Sequence, residues 1–351
     1  MWDMRMTRLA IALVLAASMT YSASTTQQPA PVARVSSPVA TPARDARVVD
    51  KGTDVVDAEM RDVDFHIESG IVLHIARLRG ALAPTKAGTP PTFDDKASFT
   101  LVMHSAEIAI DTTSLAVLLN RHVFGYPGAP LRNLRLHTEG DQLVQSGTLR
   151  KGISMPFRIR ATVTLNPDGR IRLHPTSVKV LGVGVRNIMD FLGLELANVI
   201  KLKGARGAAI DGNDFLLDPE AILPPPQIRG HLTRIAVGNG QIEQTFSARP
   251  GQDTRPLREP TASTPNYMYF RHGTLRFGKL TMVNADLLIV DQDPANIFDF
   301  SLDRYNDQLV AGYSKSTEAL GLVVHMPDLR ALDLKRRAAT GHSAPAPVNR
   351  R

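Results

Sequence analysis

The sequence predicts an α+β protein, mainly antiparallel β, in which a strongly curved sheet wraps one or two amphipathic helices. Three observations predict it. Alternating apolar and polar residues recur in short runs, as in FRIRATVTL (157–165). Several of these runs are long and change phase midway. Two segments, 113–124 and 186–202, carry the helical period with an apolar face.

The elements follow in order. In VDFHIESGIVLHI (63–75) the odd positions Val63, Phe65, Ile67, Ile71, Leu73 and Ile75 are apolar, which predicts one strand with one buried face. Residues 99–110 change phase at His104–Ser105, and a bulge there would keep one side inward around a bend. TSLAVLLNRHVF (113–124) follows Asp111–Thr112, good helix-capping residues. Strands are predicted at 131–137 and 142–150. A hairpin comes next: in 157–165 Phe157, Ile159, Ala161, Val163 and Leu165 face inward, NPDG (166–169) turns the chain, and RIRLH resumes with Ile171 and Leu173 inward. Further strands are predicted at 176–181, 208–217, 227–237, 241–247, 274–290 and 319–326, with a second phase change near Gly278. On a helical wheel, Arg186, Asn187, Asp190, Asn198 and Lys201 of the 186–202 segment share a narrow polar strip, and the opposite half is apolar.

The ends read differently. Arg5 and Arg8 precede a short apolar run and then small residues, the layout of an export signal over 1–24, with a retained anchor as the alternative. The chain has no cysteine, which excludes a lipid-anchored leader, disulfides and thiolate chemistry, and leans toward a bacterial periplasm. Residues 25–55 are Pro/Ala/Ser-rich and are expected to form a disordered tether. Residues 248–265 read as a linker, 266–333 as a β-rich extension packing on or completing the sheet, and 334–351 as a disordered basic tail. Most of the net charge of +7 sits in that tail, and 56–334 is near neutral. Nucleic-acid binding, which needs cations on a folded surface, is therefore not expected.

Catalytic signatures are missing. GVGV (182–185) has Asn187 where a dinucleotide loop needs its third glycine. The histidines show no HExxH or other metal spacing; His66 and His74, eight apart on one strand, would lie too far apart to share an ion. DQDPAN (291–296) and DGND (211–214) read better as turns than as calcium loops. No cofactor and no metal are called for. The single tryptophan, Trp2, lies in the leader, which argues against sugar or base stacking.

The runs LVQSGTLRKGISMPFRIRATVTLNPDGRIRLHPTSVKVLGVGVRNIMDFLGLELANVI (143–200) and GNDFLLDPEAILPPPQIRGHLTRIAVGNGQIEQTF (212–246) resemble the bacterial LmeA-like phospholipid-binding proteins. That resemblance implies a TULIP-like half-barrel over 56–247: a bent antiparallel sheet around a long helix, leaving an apolar channel for acyl chains. The expected function is thus an exported lipid- or acyl-chain-binding protein of the cell envelope, not an enzyme, with peripheral membrane contact as a further expectation. Met189, Phe191, Leu192, Leu196, Val199 and Ile200 on one helix, and Leu115, Val117, Leu118 and Phe124 on the other, are the candidate lining. Two alternatives stand beside it: a scaffold without a cavity, and a hydrolase using Asp291 and Asp293.

Overall fold

A computed structural model describes residues 55–151, 153–180, 202, 204–319 and 321–339, all within one compact unit, Val49–Arg351. The six candidates from Met189 to Ile200, the expected leader and nearly all of the expected tether lie outside the described residues.

The strands form two sheets rather than one strongly curved sheet. The large sheet is built on three long neighbours, β1 (Val56–Glu68), β2 (Ile71–Pro84) and β3 (Phe99–Asp111). Beyond β3 lie β12 (Gln241–Phe246) and β11 (Leu232–Gly238). Beyond β1 come β13 (Tyr267–Phe277), β14 (Leu280–Asp291), β17 (Leu322–Met326) and β16 (Tyr313–Ser316). Two short strands extend the ladder in parallel: β10 (Gln227–Arg229) beside β3 and β15 (Phe298–Ser301) beside β1. The small sheet runs β4 (Leu131–Glu139), β5 (Gln142–Lys151), β6 (Ile153–Leu165), β7 (Ile171–Val180), β9 (Asp214–Leu217), β8 (Ala208–Asp211), all antiparallel.

The bulge expected at His104–Ser105 is present. Arg79 faces Ser105 and Gly80 faces Met103, leaving His104 as the extra residue. Gly80 suits this spot because a Cβ there would sit 2.3 Å from the Val102 carbonyl oxygen.

Four predicted strands are corrected. The run 63–75 is a hairpin, turning at Ser69–Gly70 with Glu68 opposite Ile71. A two-residue turn alone would invert the odd–even parity, but Ile67 is an extra residue between the His66–Val72 and Glu68–Ile71 pairs, and this bulge restores it, so the alternation passes through unbroken. The phase change at Gly278 is likewise a reversal: Phe277 faces Leu280, and Gly278 has φ +57°. The run 208–217 folds back at Gly212–Asn213 into β8 and β9. The run 227–237 splits at Gly230–His231 into β10 and β11, which join different neighbours. By contrast, the segments expected at 170–174 and 176–181 merge into β7 across a register shift near Pro175.

The expected linker 248–265 is irregular but fastened to β1: the Glu59 carboxylate accepts the Leu257 and Arg258 backbone N–H groups and the Tyr267 hydroxyl. β13 pairs directly with β1 from Asp57 to Arg61, so the 266–333 segment is built into the large sheet. The boundary expected at 334 falls inside a helix, α4 (Leu329–Ala339).

A contiguous core spans both sheets, with Ile75, Ile108, Leu118, Leu143, Leu149 and Phe300 among its buried members. Between β3 and β4 the chain crosses from one sheet to the other through α1 (Thr112–Leu118) and a π-helical turn, Leu119–Val123. A short helix α2 (Pro219–Ile222) follows β9, and α3 (Tyr305–Ala311) precedes β16.

Candidate ligand site between the two sheets

Asp111 starts α1: its carboxylate accepts the backbone N–H of Thr113 and Ser114 at 2.8 and 2.9 Å and the Ser114 hydroxyl at 2.7 Å. This capping, and the hydrogen bond from Val72 N–H to the Ser114 hydroxyl, seat α1 against β2. At the far end Asn120 holds the π-turn to β4, donating to the Leu134 carbonyl and accepting the Leu134 N–H. The helix thereby presents Leu115, Leu118 and Leu119 to the space between the sheets.

There the inward rows do not quite meet. A gap of about 60 Å³ opens between α1, β2 and β3 on one side and β5, β6 and β7 on the other, with α2, β11 and β12 closing it. Leu73, Leu143, Val163 and Leu173 face it, and among the described lining residues Gln244 alone carries a polar side chain. A second gap of about 30 Å³ shares Leu73, Pro219, Leu223 and Gln244 with the first and reaches Met103 and Phe246. The two form an interrupted apolar seam. The larger one accommodates about four water-sized spheres.

The structure sorts the candidates on α1. Leu115 and Leu118 line the gap. Val117 is half-buried elsewhere, its methyls over Gly70 in the β1–β2 turn. Phe124 is buried in the core but is not on the cavity wall. Phe124 caps the π-turn, its N–H bonding to Leu119 O five residues back, and at about 100° per residue it falls half a turn from Leu115, off the face that Leu115 and Leu118 share. Sequence reasoning missed Leu119, the α2 wall and Gln244. Strand alternation already placed Val163, Ile171 and Leu173 inward, but alternation alone does not reveal where two inward rows fail to fill space.

The acidic and histidine residues do not assemble into a metal site; no group of three or more metal-ligating side chains occurs among the described residues. His66 and His74 sit on neighbouring strands, not on one, and each binds a carboxylate: His66 Nε2 lies 2.5 Å from Asp299, and His74 Nδ1 lies 2.7 Å from Asp64. The Asp64 hydrogen bond, with Asp111 beyond it, raises the His74 pKa. Asp293 accepts the Ala295 N–H and the Asn296 side chain, so DQDPAN is a turn, and DGND closes the β8–β9 hairpin. Asp291 is buried with one carboxylate oxygen lacking a hydrogen-bond partner. Burial first, then the nearby Asp328, push its pKa up to about 7.

Comparison of the chain with protein-family models, with curated proteins and with solved structures returns no match.

Proposed function

We propose that this protein holds a lipid or acyl chain in the seam between its two sheets and acts in the cell envelope, with residues 1–24 directing export. One observation carries the reading: an apolar gap where α1 and both sheets meet, with Gln244 as the single polar side chain of its described lining, continued by a second, mostly apolar gap that Glu220 borders. Lipid sites are concave, apolar and poor in charge. The resemblance of 143–200 and 212–246 to LmeA-like proteins points the same way, and a TULIP-like channel is the finer form of the proposal. Ten enclosed methylenes would contribute about 8 kcal/mol before the costs of association.

A second reading, a scaffold whose seam is an ordinary packing defect, is favoured by the size of the gap, well below the volume of an acyl chain. The ligand reading therefore requires the seam to widen, with Pro219–Leu223 as the short wall common to both gaps. Titration with a fluorescent fatty acid separates the two. Saturable uptake that Val163→Phe abolishes supports the ligand; no uptake, in a protein with a normal melting curve, supports the scaffold.

A further inference from the structure

The near-neutral charge of 56–334 conceals a segregation that only the strand register reveals. The solvent face of the small sheet carries Arg132 and Arg135 from β4, Arg150 from β5, Arg158 and Arg160 from β6, and Arg172 and Lys179 from β7. Its carboxylates are Glu139, shared by Arg158 and Arg160, Asp214, shared by Arg172 and His174, and Asp211, opposite Asp214 on β8. Three acids against seven cations leave this face positive. Arg132, Arg135, Arg150 and Lys179 are exposed, and no ion pair to a described carboxylate engages them. The opposite sign gathers elsewhere: a hollow on the large sheet is lined by Asp62, Asp64, Glu107 and Glu243, with Arg234 and His74. The folded unit is therefore electrically polar, and such a molecule approaches a charged surface in one orientation.

A shallow depression of about 690 Å³ crosses β4, β5 and β6 on the small sheet; Arg135, Arg158, Ser146 and Thr148 are in its wall. Guanidinium and hydroxyl donors around a hollow suit a phosphate. The shape and composition favour a surface over a strand of nucleic acid. The cations spread over four strands instead of following one track, and the one aromatic residue of β4–β7, Phe157, is buried, so no base has a stacking partner there.

We propose that the outer face of the small sheet docks on an anionic phospholipid bilayer, with a headgroup phosphate in the Arg135–Arg158 depression. This interaction does not depend on a cargo in the seam. Each surface cation adds to the attraction toward an anionic membrane, and that attraction fades within a Debye length of about 8 Å at physiological salt.

Co-sedimentation of the purified protein with vesicles tests it. Vesicles containing phosphatidylglycerol should bind and phosphatidylcholine vesicles should not. Reversing Arg132, Arg135 and Lys179 to Glu should weaken binding at least about tenfold. Reversing Arg229, Arg276 and Lys279 on the large sheet should change it less than about twofold. Melting curves check folding, and the milder pair Arg135→Gln and Lys179→Gln should show a smaller loss in the same direction. Equal binding to both vesicles, equal loss in both sets of variants, displacement by millimolar inorganic phosphate, or tighter binding to duplex DNA than to anionic vesicles would each overturn the proposal. Failure to find a cargo lipid would leave these results unchanged.

Discussion

Asp291 ends β14 with a carboxylate turned into the protein, beside Asp328 and Asp293 and near Asn266. Its folded pKa of about 7 lies above the ordinary 3.8. A carboxyl group raised in this way binds its proton more tightly in the folded state than in the unfolded chain. Between pH 4 and 7 the folded state then holds the extra proton, so stability falls as pH rises and the penalty is complete above about 7. Asp291→Asn removes the ionisation and keeps an acceptor for the Asp293 N–H. It should raise the melting temperature substantially more at pH 8 than at pH 5, where only part of the penalty has accrued; an equal shift at both values would place the effect outside ionisation. Gly80 makes a second prediction. Gly80→Ala drives a Cβ into the Val102 carbonyl opposite the His104 bulge, a contact between backbones that no rotamer relieves. A loss of about 2 kcal/mol or more in denaturant unfolding is expected.

At the scale of elements, α1 joins the sheets and forms one wall of the seam. Asp111→Ala removes its cap and should cost about 1–2 kcal/mol of stability, with Asp111→Asn retaining most of it. Fatty-acid uptake should weaken in step, because Leu115, Leu118 and Leu119 depend on that cap for their position. Much of this layer is legible in the sequence. Asp111 as a cap, the NPDG hairpin and the His104 bulge all follow from local rules. The runs 63–75 and 274–290 mislead for a physical reason: a two-residue turn shifts the phase as a bulge does, and a bulge beside the turn, as at Ile67, cancels the shift, so periodicity alone does not separate a long strand from a hairpin. Ser69–Gly70 and Gly278–Lys279 carried the missing signal. The pairing of β13 with β1 and the splitting of β10 from β11 depend on contacts distant in sequence. So does the gap itself, since each lining residue reads as an ordinary core residue on its own.

For the whole molecule, two faces of the small sheet are given different work. Its inner row, with Leu143, Val163 and Leu173, closes the seam, and its outer row concentrates the cations. In the proposed account one surface meets the bilayer while the other holds what is taken from it. The sequence shows the inner row as apolar alternation, but total charge hides the outer one. The central claim is the cargo, and native mass spectrometry of the gently purified protein tests it most directly. The account predicts a species heavier than the bare chain by the mass of one lipid, lost on mild activation and missing from Val163→Phe. A bare mass alone, under conditions in which a known lipid carrier keeps its ligand, would contradict it.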